Sequence, residues 1–479
     1  MQARARRVRE HVEHVVLLAR GVEARLAGVR RAEGVLGLPA RLPARLDLGG
    51  AVAVRAARFD RVHGEEPHKI RARTAPTKRY AAHVLATLLL VADVTVRTSG
   101  ELRAALAAAK PGTTLLVAPG EYAGGIVASG VRGTAAQPIA LRAADPAQPP
   151  LIRGGTCGIQ LSDAEHVELA DLVFEQQTGN GVNIDDGGTL DTPARGIALR
   201  RLVVRDTGPQ GNCDGLKLSG VDGFAIEGCT IERWGSNGSG IDLVGCANGA
   251  VERCTLRNPA DRATSSGVQA KGGSRAIRIE RNRFEHAGQR AVNIGGSTGL
   301  DYFRPPLSEL SSACSEAARI TVAGNTFVGS DAPIACVGVD GAQVRFNTLY
   351  RPQRWALRIL QETRDPRFVP CRNVEFTDNL VVFERARWSA GGVNVGAGTE
   401  PDSFRFERNA WTCSDDAARS RELVKLPTPE RDGRYGVDPQ FLDAASLDLS
   451  VRAGSPAAGV GAHAFGAQAA REPEPLRER

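Results

Sequence analysis

Between Gly158 and Val395 the chain repeats one four-residue phrase, Gly-apolar-x-apolar, and this repetition restricts the fold more than any other feature of the sequence. The phrase stands at Gly158-Ile159-Gln160-Leu161, Gly181-Val182-Asn183-Ile184, Gly215-Leu216-Lys217-Leu218, Gly240-Ile241-Asp242-Leu243 and Gly267-Val268-Gln269-Ala270. It recurs with Ala for Gly at Ala291-Val292-Asn293-Ile294 and Ala356-Leu357-Arg358-Ile359, and again at Gly392-Val393-Asn394-Val395. Each copy is a strand too short to bury its own apolar face, so the copies must stack.

A second phrase follows most copies: an alternating strand, then Asn or Cys, then another apolar strand, as in "FAIEGCTI", "IRIERNRF" and "VEFTDNLVV". Its turn residues form a column of Cys229, Cys254, Asn282, Asn325, Asn347, Asn379 and Asn409. Asn tolerates the left-handed conformation, and its amide can bond the coil above, so the column reads as a ladder with two Cys as small buried substitutes. The strands recur at a fixed short repeat, so each coil advances by one strand spacing. The predicted architecture is all-β, a right-handed parallel β-helix over residues 93–464. The segment "SGELRAALAAAKPG", Ser99 to Gly112, carries a helical period and predicts an N-terminal capping helix. At the far end "DPQFLDAASLDLSVRAGSPAAGVGAHA" is expected to form a last coil before the charged tail at 465–479.

The core must be aliphatic, because 42% of the 479 residues are hydrophobic but only 5% aromatic. The net charge of +7 owes much to Arg in the first 80 residues, so it is no argument for a nucleic-acid partner. Residues 1–78 read as a basic, Arg- and Ala-rich extension, either an overlong gene start or a disordered segment. Lys78 and Arg79 precede an apolar run from Ala81 to Ala92, which has the form of a signal peptide and is too short to span a bilayer. The expectation is a secreted, monomeric protein without a stable membrane span. Nine cysteines lack metal-ligand spacing, and export would permit disulfides with at least one thiol left over or paired between chains.

Alternation turns the x residue of every phrase outward. That column holds Gln160, Asn183, Lys217, Asp242, Gln269, Asn293, Arg358 and Asn394, and the column two residues further along holds Asp185, Ser219, Val244, Lys271 and Gly295. Coils stack at about 4.8 Å, which brings Lys217 against Asp242 with Lys271 one coil beyond. Amides such as Asn183, Gln269 and Asn293 suit sugar hydroxyls, and Lys or Arg suits a carboxylate. The bland alternative is a solvated face carrying a salt bridge.

"KPGTTLLVAPGEYAGGI", "GTAAQPIALRAADPAQPPLIRGG" and the closing "DPQF" and "AGSPAAGVG" resemble the entry and exit coils of secreted parallel β-helix polysaccharide lyases, the pectate lyase-like superfamily that includes alginate lyases and chondroitinase B. The resemblance implies β-elimination on an acidic, uronate-containing polysaccharide, in which a base takes the proton next to the carboxyl group. It implies Lys271, in "GVQAKGGS", as the base, and Asp214 and Asp242 as two ligands of a calcium ion like that of one pectate lyase family. Two features depart from those patterns: Gly238 and Ser239 stand where the pectate lyase pattern has carboxylates, and the alginate-type pattern wants an Arg near Gly295.

Long insertions wall such a face. The largest, "GGSTGLDYFRPPLSELSSACSEAAR", offers Tyr302, Phe303 and Arg304 to stack on and pair with an acidic sugar, or to pack the coils. "YRPQRWALRILQETRDPRF" adds Arg351, Arg354, Trp355 and Arg358 at the same end. The expected activity is that of a lyase with Lys271 as base and Arg358 or Lys217 neutralising the carboxylate. Two other readings are open: a glycoside hydrolase, for which Asp214 and Asp242, with Asp185 further off, offer the paired carboxylates, or a uronate epimerase; and a non-catalytic carbohydrate-binding module.

Overall fold

The computed structural model describes residues 93–468, so the basic extension at 1–78, the apolar run at 79–92 and the end of the charged tail lie outside the described residues. Three long sheets run through the molecule. The first has twelve strands, from Val94–Val96 to Arg405–Glu407; the second has ten, from Ile126–Ser129 to Val393–Val395; the third has twelve, from Glu121–Ala123 to Arg434–Tyr435. Within each sheet, neighbours come from successive coils and every pairing is parallel, as between Val182–Asp185 and Leu216–Ser219. The result is a right-handed parallel β-helix.

The short repeats form strands because each places its apolar residues inside. Leu216, Leu218, Ile241, Leu243, Val268 and Ala270 are fully buried, and they stack in register from coil to coil. The second sheet contains a strand that the repeat pattern misses. Ala332–Val337, with sequence Ala-Pro-Ile-Ala-Cys-Val, pairs on both sides with its neighbours and puts Ala335 between Asn293 and Arg358 in the outward column. Every residue of that strand is buried, so the polar alternation that marks the other copies is absent.

The turn column is the ladder that its composition implies. The amide Nδ2 of Asn282 donates to Val251 O at 2.8 Å and to Asn325 Oδ1 at 3.0 Å, and the same pattern passes through Asn347 and Asn379 to Asn409. Glu430 closes it by accepting from Asn409 Nδ2 at 3.1 Å. Cys229 and Cys254 continue the column, buried, with Sγ atoms 3.5 Å from Leu199 O and 3.6 Å from Ile226 O. All nine cysteines are free thiols, so the disulfides that export would permit are not formed.

One end is closed by the helix α1, Ser99–Ala108, whose Leu102 and Leu106 cover the first coils. Its cap is Thr98. Thr98 Oγ1 accepts from Glu101 N at 3.2 Å, which satisfies one of the helix end's free amides, while Glu101 Oε2 accepts from Arg97 N, just before the cap, at 2.7 Å. The far end departs from expectation. Phe441–Asp443 and Asp448–Val451 form an antiparallel hairpin, not a further coil. Leu449, with Phe441 and Val451 beside it, packs against Val328, Tyr350, Leu380, Val382 and Ala410, which explains why these strands of the third sheet are buried on both faces. Phe465, at the start of the expected tail, lies buried beside Phe346 with the Arg281 guanidinium over its ring.

Candidate functional site

The outward face of the second sheet carries the cluster that the register predicts. Lys217 is paired with Asp242, Asp242 with Gln269, and Val244 with Lys271. Asp214, at the turn before Leu216–Ser219, completes the group. Lys217 Nζ donates to Asp242 Oδ2 at 2.6 Å and to Asp214 Oδ2 at 3.0 Å. Asp214 Oδ1 accepts the amide of Ser239 at 2.8 Å. Both carboxylates are only 1% exposed.

Burial raises the Asp214 carboxyl above the usual carboxylate range, and the neighbouring Asp242 charge adds to this against the opposing pull of Lys217. Burial by itself would depress the Lys217 ammonium, but Asp242 and Asp214 outweigh it and hold the group above the ordinary lysine range. Lys217 is therefore a fixed cation, with two of its N–H bonds committed to Asp214 and Asp242. In this arrangement Lys217, expected to neutralise a substrate carboxylate, serves as the countercharge of Asp214 and Asp242.

Lys271 is placed differently. Its side chain is 18% exposed, and Nζ lies 3.4 Å from Asp242 Oδ1 and donates to Gln269 Oε1 at 3.3 Å. Asp242 Oδ1 is buried and accepts no well-aimed hydrogen bond. The backbone bends sharply just beyond Ile294, and a Cβ on Gly296 would fall 2.5 Å from Gln269 Nε2 and 3.5 Å from Lys271 Cδ. Gly295 has no room for a side chain, since a Cβ there would sit 1.9 Å from Val337 O, and this is the physical reason that no Arg stands at that position.

Asp214 and Asp242 do not fit a calcium ion, which takes six to eight oxygens. The Lys217 ammonium already bridges them, and among the described residues no group of three or more His, Cys, Asp or Glu converges. A carboxylate at 238 has no space either, because a Cβ on Gly238 would meet Cys213 O at 2.1 Å.

The remaining expected residues divide. Asn183 and Gln269 lie on the face, partly exposed, with Asn183 Nδ2 donating to Asp185 Oδ2 at 2.9 Å. Tyr302 is 65% exposed on the insertion. Asn293 is 2% exposed and accepts from Arg290 Nη1 at 3.4 Å, so it supports Arg290 and cannot meet a sugar hydroxyl. Phe303 is buried against Phe368 and Leu307. Arg358 stands three coils from Gln269 and Lys271 in the register, about 14 Å of backbone spacing, and its Nε reaches one coil further on to Asn394 Oδ1 while Lys271 turns toward Asp242 and Gln269.

Arg304 is the largest departure. It is 7% exposed and pairs in a bidentate manner with Asp186, itself 1% exposed, through Nε at 2.6 Å and Nη2 at 3.0 Å. Its Nη1 donates to Tyr302 O at 2.8 Å and its backbone N to Gly272 O at 3.0 Å. Glycines at the turns make the path for this side chain: a Cβ on Gly245 would lie 2.4 Å from Arg304 Cβ, and one on Gly220 would lie 2.1 Å from Asp186 Oδ2. Arg304 is thus a staple that ties the insertion to earlier coils, not a ligand for sugar.

Glu316 escapes sequence reasoning altogether, since "CSEAAR" lies in an insertion without periodicity. It is fully buried, and neutral groups satisfy it: Gly272 N at 2.8 Å and Thr298 Oγ1 at 2.9 Å to Oε2, and Thr298 N at 3.1 Å and Thr363 Oγ1 at 2.6 Å to Oε1. Through the Gly272 amide it holds the turn that follows Lys271. Glu316→Gln turns an acceptor into a donor that faces other donors, so it is expected to lower stability by about 2 to 4 kcal/mol, read in urea unfolding.

No family model matches the sequence, and no curated protein matches it. Solved structures with a similar course of chain include an alginate lyase from Paenibacillus sp. str. FPU-7, at 17% identity and a TM-score of 0.41, covering 66% of this chain and 93% of that one. A PL6 family polysaccharide lyase from Pseudopedobacter saltans matches at 13% identity and a TM-score of 0.47, covering 78% and 99%. A lacto-N-biosidase from Eubacterium ramulus matches at 13% identity and a TM-score of 0.46, covering 74% and 67%. These likenesses are too distant to carry an activity to this chain.

Proposed function

We propose that this protein is a secreted enzyme that cleaves a uronate-containing polysaccharide by β-elimination, with Lys271 as the base. One observation carries the reading: a partly exposed lysine amine on an outward sheet face stands 3.4 Å from a buried carboxylate oxygen that lacks a hydrogen-bond donor. Lys217 satisfies the other oxygen of Asp242, which leaves Oδ1 to stabilise the Lys271 ammonium once the amine has taken a proton. In the reaction Lys271 takes the proton on the carbon beside the uronate carboxyl. The electron pair forms a carbon–carbon double bond as the glycosidic oxygen departs, and the new ammonium can return its proton to that oxygen. Gln269, fixed beside Lys271 by its own hydrogen bonds, offers an amide to a sugar hydroxyl.

Hydrolysis by Asp214 and Asp242 fits less well, because both are buried beneath Lys217 and cannot reach a glycosidic bond. Secretion rests on the basic flank and apolar run at 79–92, and among the described residues no helix is long and apolar enough to cross a membrane. The test is incubation with alginate, polygalacturonate and chondroitin, following the ultraviolet absorbance of the unsaturated product. Silence on all three would overturn the reading, and new reducing ends without absorbance would favour a hydrolase. Since Lys217 fills the space between Asp214 and Asp242, EDTA is expected to leave the initial rate unchanged; restoration of a lost rate by calcium would contradict this.

A further inference from the structure

The charge along the second sheet is uneven. At the entry end Asp185 Oδ2 accepts from Gln160 Nε2 at 3.2 Å and Asn183 Nδ2 at 2.9 Å, and among the described residues no cation pairs with it. The middle holds two lysines and two carboxylates. Toward the exit end two arginines stack on Trp355. The Arg354 guanidinium carbon lies 4.1 Å and that of Arg358 4.8 Å from the centre of the indole ring. Arg290 lies two coils before Arg358, and its Nη2 donates to Glu362 Oε1 at 2.6 Å. The coil between Arg290 and Arg358 contributes only the methyl group of Ala335 to the outward column, which leaves the two guanidiniums free to approach.

The cluster has more positive charge than it can neutralise. Glu362 pairs with Arg290, while Arg354 and Arg358 form no ion pair among the described residues. Arg358 donates instead to a neutral acceptor, Asn394 Oδ1, at 3.0 Å. Burial first, and then the charge of Arg290 with a smaller push from Arg354, lowers its guanidinium below the usual range, although the carboxylates of Glu362 and Asp331 pull the other way. Stacking on Trp355 fixes the planes of two guanidiniums, so less freedom is lost when they meet an oxyanion.

We propose that Arg354 and Arg358, with Arg290 on the Lys271 side of them, form a subsite for a second acidic group of the polymer, a carboxylate or a sulfate; the Arg358 strand lies three coils from the Lys271 strand, about 14 Å of backbone spacing, and the Arg290 strand one coil from it. The inference rests on the reading of this face as a polysaccharide groove. It adds that the substrate carries repeated negative charge and is held mainly on the exit side of Lys271, because Asp185 disfavours acidic sugars on the other side.

Electrophoresis through gels containing alginate, dextran sulfate or neutral dextran tests it without requiring catalysis. The wild type should be retarded by an anionic polymer and not by dextran. Arg354→Gln with Arg358→Gln should weaken that binding about tenfold or more, and the exposed Arg354→Gln alone should weaken it in the same direction without disturbing the fold. Retardation by alginate alone identifies a carboxylate, by dextran sulfate alone a sulfate, and by both either anion. A double variant that binds like the wild type, or a wild type that none of the anionic polymers retards, overturns the proposal. Binding that the arginine variants lose, in a protein that forms no unsaturated product, supports the subsite and sinks the lyase reading.

Discussion

Replacing Lys271 by Met should reduce formation of the unsaturated product by about 10²- to 10⁴-fold, the range spanned by a single positioned acid–base group. Met keeps the length and apolar stem of the side chain but has no proton acceptor of comparable basicity. The loss should fall on kcat, because Gln269 and the arginine cluster remain to bind the polymer. The fold should survive, since Lys271 contributes one hydrogen bond at 3.3 Å and one ionic contact at 3.4 Å and stays partly open to water. Lys271→Arg separates the two ways in which this residue could act. Arginine stays protonated in proteins, so a base is lost while a cation is kept. An arginine variant as slow as the methionine variant supports the base; one with near wild-type rate would show that only the charge at this position matters.

Arg304→Ala should cost about 3 to 5 kcal/mol of stability, measured by chemical unfolding. The pair with Asp186 is bidentate and both partners are almost fully covered, so truncation strands the Asp186 carboxylate in a site that water does not reach. The arginine stem also fills the path left by Gly220 and Gly245, and its loss opens a void there. Combining Arg304→Met with Asp186→Leu should recover much of the loss, because no charge is then left unpaired. A single variant that unfolds like the wild type would refute the staple. The consequence reaches the site, because the Arg304 amide donates to Gly272 O, next to Lys271.

Much of the architecture was legible because it is written in local, periodic patterns. In a parallel coil, a residue's partner is the equivalent residue one repeat away, so reading the phrases in register places Lys217 against Asp242 and Gln269 against Asn293. The Asn column is legible for the same reason. The reading fails where the period fails. Ala332–Val337 is buried on both faces and loses its alternation, and the exit segment has the strand composition of a coil but folds into a hairpin because exposed apolar strands of the third sheet needed cover.

The sequence by itself thus determined the β-helix, its register and the position of Lys271 on an outward face, since each depends on neighbours at a constant chain separation. Only the tertiary structure decided which charged groups are free. Arg304 pairs with a residue 118 positions away, and Glu316 gathers donors from three separate segments. Those contacts arise where insertions fold back on the coils, and no repeat encodes them. Whether a charge is exposed, paired or buried depends on where such segments come to rest.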